Sequence, residues 1–389
     1  MTTTEKSWLV DSLNEGRFTP SRLTLVRERR GLTKQALADL CGVSRRAVTA
    51  WESGRVDNPP IDVLSRVLDF PESFFLADEV ARVDPEAVSF RALSTMTARQ
   101  LHRVLAASTL AVELARWMDD HYKTPSPDLP DLSDTEGLDP VVAAETVRRV
   151  WSLGDGPIKH LLGLLERKGV RVFSLPINDR EVDAFSFWQE DRPYVFLNTG
   201  RTVERMRFDL AHELGHLILH KELIARRARD IEQQAQDFAS SFLMPADALY
   251  ELVIGNPRLS DVFSLKRYWK VSAVAMVHRL FQLGIISEWS NRTWMIELSE
   301  RGFRSSEPDG ISPETSKLFK QLFALARQDG WSRSRIASSL FISEDELDVM
   351  VFGLAVTNAP KGVARIGQDV TESVPPAFGG GNSRIRRVK

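Results

Sequence analysis

The stretch DLAHELGHLILH, Asp209 to His220, holds three of the chain's seven histidines. His212, Glu213 and His216 form the pattern H-E-x-x-H. On a helix, positions i and i+4 lie one turn apart on the same face. Two imidazoles so placed can share one metal ion, with Glu213 close enough to handle a water at that metal. Leu210, Leu214 and Leu217 give such a helix a buried side, and Gly215 lets another element approach closely. A catalytic zinc site takes three protein ligands and keeps one position open, the third ligand coming from a separate element. The segment DIEQQAQDFASSFLMP offers Asp230, Glu232 and Asp237. Glu232 shares a helix face with the small Ala235 and Ala239, while Phe238, Phe242 and Leu243 form the buried side. Small residues beside a carboxylate let two helices pack closely enough to share a metal, which favours Glu232 over Asp230 and Asp237. The set His212, His216 and Glu232 predicts Zn2+ and the chemistry of a zinc metallo-endopeptidase. The ion polarises a peptide carbonyl and acidifies water, while Glu213 takes the proton and passes it to the leaving amine. His220, another turn along, is expected as a structural or supporting residue.

A second motif lies far upstream. LTKQALADLCGVSRRAVTAWESG, Leu32 to Gly54, places Leu37, Ala38 and Leu40 at core spacing in a first helix. Gly42 follows where a left-handed turn residue is wanted. Val43 plugs the core and Ser44 is a good N-cap for the next helix, in which Val48 and Trp51 make the buried stripe. Helix, glycine turn and a second helix with a free outer face are the grammar of a helix-turn-helix. The free face carries Arg45, Arg46, Thr49 and Ala50. Residues 21–60 hold eight basic against four acidic side chains, whereas the whole chain has a formal net charge of −2. The local excess is a footprint for phosphate.

These motifs sit in 389 residues, too many for one ordinary domain. The 43% hydrophobic content is that of a globular protein with packed cores. A single cysteine, Cys41, excludes a disulfide scaffold and cysteine zinc sites, and a reducing cytosol is the natural setting. The N-terminus lacks a basic start followed by an apolar run, so no signal peptide is expected. No stretch approaches ~18 consecutive apolar residues, so no membrane partner is expected. A helical stretch over roughly 95–124 ends in the proline- and acid-rich KTPSPDLPDLSDTEGLDP, a loop or linker. Helical patterns resume at 140–169, then VRVFSLPI, DAFSFW and PYVFLN suggest three strands. Residues 260–355 suggest helices, with a short strand at TWMIELS. Within them WSRSRIASSLFISEDELDVMVFGL repeats helix-turn-helix spacing at Ile336, Ala337, Leu340, Ile342, Ser343 and Leu347. Its second helix carries Glu344, Asp345, Glu346 and Asp348 instead of basic residues, which makes it a packing or partner module. The tail PPAFGGGNSRIRRVK is expected to be disordered.

GVSRRAVTAWESG resembles the Xre family of phage-repressor-like DNA-binding domains over residues 21–76. The resemblance implies a five-helix unit that works as one half of a homodimer on operator DNA, usually an inverted repeat. Carried over, Arg45, Arg46 and Thr49 are base-reading candidates behind the Ser44 cap. Lys34, Gln35 and Arg55 are phosphate candidates, although the family usually has glutamine where this chain has Lys34. FDLAHELGHLILH with IEQQAQDFASSFLMP resembles the ImmA/IrrE family of metallopeptidase domains. That likeness extends upstream through VSFRAL, VRRVWSLGDGPIKHLLGLLERKGVRVF, DAFSFW and RPYVFLN. It implies that the strand around Tyr194–Asn198 lies beside the metal helix.

The expected fold is mainly α with a small α+β metallopeptidase-like domain. An N-terminal arm (1–20) precedes the helix-turn-helix domain (21–77) and a helical linker with its proline-rich loop (78–139). The zinc domain (140–258) packs its H-E-x-x-H helix on a three-stranded sheet. A C-terminal helical domain (259–355) and a tail (356–389) follow. The expected function is a cytoplasmic transcriptional regulator, repressor or antitoxin-like, in which stress or partner binding at the metal domain alters operator binding. Three versions stay open on sequence: a protease that cleaves a repressor or itself, an antitoxin that binds a protein toxin, and a sensor of a small ligand.

Overall fold

The computed structural model describes residues 16–85, 88, 96–133, 137–175, 183–221, 228–303, 306–351, 353–355 and 385–387. Most of the N-terminal arm, VSFRAL apart from Val88, and the tail apart from Ile385–Arg387 lie outside them.

The N-terminal unit has the five expected helices: α1 (Pro20–Arg29), α2 (Lys34–Cys41), α3 (Arg45–Glu52), α4 (Ile61–Leu68) and α5 (Glu72–Leu76). Thr33 caps α2 by accepting from the Ala36 amide, and Ser44 caps α3 by accepting from the Ala47 amide. Between them Gly42 holds φ at 68°, the left-handed turn the motif requires. Leu37, Ala38, Val48 and Trp51 are buried as expected, but Leu40 is 58% exposed. On an eight-residue helix whose buried arc runs through Leu37 and Ala38, Leu40 falls about a sixth of a turn outside it at ~100° per residue.

A 24-residue helix, α6 (Ala98–His121), packs along α1 and leads towards the metal domain. Thr97 and Gln100 close a capping box at its start. The proline-rich loop that follows β1 (Tyr122–Lys123) is irregular but anchored. The Asp128 amide donates to the Lys168 carbonyl at 3.0 Å, Arg192 Nη1 to the Pro125 carbonyl at 2.8 Å, and the Leu132 amide to the Ile218 carbonyl at 3.3 Å. Residues Arg386–Arg387 form β5, antiparallel to β1.

Helices α7 (Pro140–Val150) and α8 (Leu161–Arg167) precede a three-stranded sheet of β2 (Arg171–Ser174), β3 (Ala184–Gln189) and β4 (Arg192–Leu197). Its order is β2-β4-β3, with β4 parallel to β2 and antiparallel to β3. Strand β4 therefore runs through the middle, and β3 is the edge strand packed against the metal helix. Val88 makes an isolated antiparallel bridge to Phe187 of β3. The period-two alternation divides the sheet. Phe173, Phe185, Phe187, Tyr194 and Phe196 face one hydrophobic core, which they share with the N-terminal unit and α6. Val172, Val195 and Leu197 face a second core that surrounds the metal helix.

That second core is built by α9 (Val203–Leu219), α10 (Ala228–Leu243), α11 (Ala246–Leu252), α12 (Leu259–Trp269), α13 (Ala273–Gln282) and α14 (Glu288–Glu300). The strand expected at TWMIELS is the C-terminal half of α14. Ser287 caps this helix by accepting from the Ser290 amide, Leu298 is fully buried, and Trp294 and Met295 lean on the core. A helix cap and helical-period packing override the β-propensity of a short apolar run.

The last helices, α15 (Lys317–Gln328), α16 (Arg333–Ser339) and α17 (Glu344–Val351), join the first core. Phe319 of α15 packs on Phe173 with ring centroids 5.5 Å apart. Glu166 of α8 accepts from Ser316 Oγ and from the Lys317 and Leu318 amides, so it caps α15 from the metal domain. Burial pushes this carboxyl up to about 7, against the pull of those hydrogen bonds. Helices α16 and α17 repeat the N-terminal helix-turn-helix closely. Ile342 N donates to the Ala337 carbonyl as Val43 N does to Ala38, and Ser343 Oγ caps α17 through the Glu346 amide. The turn residue is Phe341, at φ 56°. Yet α17 is turned inward: Glu346, 4% exposed, forms ion pairs with Arg29 at 3.0 Å and with Arg30. Arg29 is itself buried, so removing its partner leaves a desolvated charge. Glu346→Gln should cost about 3 kcal/mol, the low end for breaking a buried pair because Arg30 keeps some solvent, as read by denaturant unfolding. A cost within 0.5 kcal/mol, the ~0.5 kcal/mol range of an ordinary surface change, would refute this clamp.

Candidate metal centre and nucleic-acid interface

Thr202 starts α9 by accepting from the Arg205 amide, and the helix runs through the second core with Leu210, Leu214, Leu217 and Ile218 packed around it. His212, Glu213 and His216 are buried at 8%, 4% and 5% exposure. Helix α10 lies across α9 where both are small. A Cβ on Gly215 would stand 3.0 Å from Phe238 Cδ1 and 3.3 Å from Ala235 Cα. This approach carries Glu232 to the two histidines. His212 Nε2 lies 3.1 Å from His216 Nε2 and 3.3 Å from Glu232 Oε2, and His216 Nε2 lies 3.4 Å from Glu232 Oε1. Among the described residues, these three form the one group of donors close enough to hold a metal. In a tetrahedral site with ligand bonds near 2.0–2.1 Å, donor atoms stand about 3.3–3.4 Å apart, so the donor set and its spacing fit a zinc ion. The other two carboxylates weighed for this role are elsewhere. Asp230 is exposed, and Asp237 accepts from Gln233 and Gln282.

Burial alone would raise the Glu232 carboxyl. The hydrogen bonds and charge of His212 and His216 outweigh burial and hold it well below the usual carboxylate range. Glu213 points at the sheet, where Ser186 Oγ donates to its Oε2 at 2.6 Å. Ser186 went unnoticed in the sequence, although DAFSFW carried a signal. Alternation puts Phe185 and Phe187 on the aromatic face and leaves a hydroxyl opposite, facing α9. Trp188, on the same side, donates from Nε1 to the Leu217 carbonyl at 3.1 Å. The Tyr194–Leu197 strand lies against the metal helix as expected, through Val195 and Leu197, and β3 beside it packs on the same helix.

At the other end of the chain, Arg45, Arg46 and Thr49 are exposed on the outer face of α3, and Arg55 is exposed just past its end. Thr49 Oγ1 donates to the Arg45 carbonyl at 3.0 Å. Gln35, exposed on α2, donates to Asp39 at 2.7 Å. Ser44 is engaged as the cap. Lys34 is drawn inward to Glu52 at 3.0 Å, and Glu52 also binds Arg27 at 2.5 Å. Arg45, Arg46, Thr49 and Arg55 are thus exposed on α3 or just past it, whereas Lys34 is tied to Glu52.

Two family models match separate parts of the chain. Residues 23–72 match the helix-turn-helix family, and residues 165–281 match the IrrE N-terminal-like domain, a peptidase family. No curated protein matches the chain. The chain joins an Xre-type DNA-binding unit to a metallopeptidase-like unit of the ImmA/IrrE kind, as the two resemblances implied. No helix among the described residues is long and apolar enough to cross a membrane.

The centre depends on the contact at Gly215. Gly215→Val should cost about 1–3 kcal/mol by overpacking and should weaken metal uptake by pushing Glu232 away. Unfolding and metal titration check the two effects, and a variant with wild-type values in both would show that the helices have room to spare.

Proposed function

We propose that this chain is a cytoplasmic DNA-binding repressor whose zinc-holding peptidase domain sets its affinity for operator DNA. The observation that carries the proposal is the shared core. The aromatic face of the metal domain's sheet packs in the same hydrophobic core as the DNA-binding helices, through α6 and α15–α17. A peptide, protein partner or stress signal that shifts the metal domain can therefore bias how the helix-turn-helix is held. It alters operator affinity only by favouring one arrangement over another. On DNA, Arg45, Arg46 and Thr49 would read bases in the major groove and Arg55 and Gln35 would meet phosphate, with a homodimer on an inverted repeat.

In the metal domain, His212, His216 and Glu232 would hold the zinc. When bound, the ion supplies Lewis-acid polarisation of a carbonyl and a more acidic water. Glu213, aimed by Ser186, would accept a proton from the attacking water and return it to the departing amine. The Ser186–Glu213 contact favours a second reading, an active endopeptidase that cleaves a repressor or the chain itself. In that case proteolysis, not occupancy, lifts repression.

The decisive test is a promoter–reporter strain with metal analysis of the purified protein. Wild type should carry about one zinc per chain, consistent with a single three-ligand site. Glu232→Gln should lose it, and Glu213→Gln should keep both zinc and repression that a signal can lift. Zinc content unchanged in Glu232→Gln would refute the ligand set. Folded, zinc-loaded Glu213→Gln that no longer represses would refute regulation by occupancy, and repression locked on would favour the endopeptidase. For the DNA interface, Arg45→Ala and Arg46→Ala should each cost ~1–3 kcal/mol of operator binding, and binding should fall as salt rises. A footprint that survives both substitutions would move base recognition elsewhere.

A further inference from the structure

His220 stands at the C-terminal end of α9, half-buried, one turn beyond His216. Its Nδ1 lies 3.0 Å from His216 Nδ1, and its Nε2 lies 3.0 Å from Gln234 Oε1. Two ring nitrogens in hydrogen-bond contact need one proton between them: one donates and the other accepts. The metal site decides which. His216 faces His212 and Glu232 through Nε2, so a bound ion takes that lone pair and leaves the proton on Nδ1. His216 Nδ1–H then donates to His220 Nδ1. The His220 proton is consequently on Nε2, and it donates to the Gln234 amide oxygen. Each group has one consistent role, and the relay runs outward from the metal.

We propose that His220 is a positioning residue for the metal centre, acting through His216. It fixes the tautomer and ring plane of His216 and anchors that ring to α10 through Gln234, two residues beyond Glu232. The relay thereby links a ligand on α9 to the helix that supplies the third ligand. A partner on the far nitrogen of a metal-binding imidazole also raises its basicity and strengthens its hold on the ion. This proposal rests on the reading that His212, His216 and Glu232 bind zinc.

The test is a competition titration of zinc against a chelator with the full-length chain, repeated with cobalt to follow the visible absorption of the centre. His220→Phe fills the space but removes the acceptor. It should lower zinc affinity about 10- to 100-fold and shift the cobalt bands, while the metal-free protein unfolds at the wild-type temperature. His220→Asn places a carboxamide oxygen where Nδ1 stands and should recover most of the affinity. Gln234→Leu leaves all three histidines in place and should weaken binding by a smaller factor. The relay is refuted if His220→Phe binds zinc as tightly as wild type, or if His220→Asn binds no better than His220→Phe. Wild-type protein that takes up no zinc would instead refute the metal reading itself, and the relay with it.

Discussion

The close crossing of α9 and α10 is the contact on which the centre depends. Gly215 and Ala235 meet where larger side chains would hold the helices apart, and the flanking Phe238 and Phe242 stack at 5.6 Å to fill the space beside them. Burying two imidazoles and a carboxylate in an apolar core is costly unless they satisfy one another or a metal. Here geometry makes them mutual partners, and the depressed Glu232 carboxyl expresses that attraction. Moving α10 outward would leave His212 and His216 in the core without their carboxylate. The same packing that stabilises the domain therefore also sets the ligand spacing.

The sheet gives this local arrangement reach. Alternation along β2, β3 and β4 sends aromatic rings to one core and aliphatic chains to the other. Phe185 and Phe196 stack at 4.9 Å, and Phe173 reaches Phe319 of α15. On the opposite face, Ser186 meets Glu213. One strand, β3, thus presents Phe187 to the core shared with the DNA-binding unit and Ser186 to the candidate general base. The proline-rich loop adds backbone hydrogen bonds to the metal domain, so the connection is not a loose tether.

Much of this was legible in the sequence where local chemistry and periodicity agree. H-E-x-x-H, the glycine between its ligands and the alanines beside Glu232 specify two helices and their close face. Gly42 and Ser44 announce a left-handed turn and a helix cap by residue type alone. Long-range partners were less legible. TWMIELS is rich in strand-forming residues, but the Ser287 cap and the buried Leu298 settle it as helix. Leu40 looked like core because apolar residues cluster around it, while its angular position on a short helix leaves it outside. That β3 joins the Tyr194–Leu197 strand in packing on α9 depends on a strand order that no single segment encodes. Ser186 gains its meaning only from that order.

The repeated helix-turn-helix shows how far backbone grammar and function can separate. Both copies use a serine cap, an apolar plug and a left-handed turn. The first supplies glycine at that turn; the second imposes φ 56° on Phe341, whose burial in the core offsets a conformation that bulky residues avoid. Charge then decides what each second helix faces. Arg45 and Arg46 stay in water, where long basic side chains remain solvated and open to phosphate. The acidic counterpart meets the basic end of α1, and Glu346 is buried between Arg29 and Arg30. Burial lowers the Arg29 guanidinium and the Glu346 charge opposes that shift, so each charge is tolerable in the core only because the other is there. An acidic helix built on DNA-reading geometry has thereby become a brace for the unit that carries the basic one.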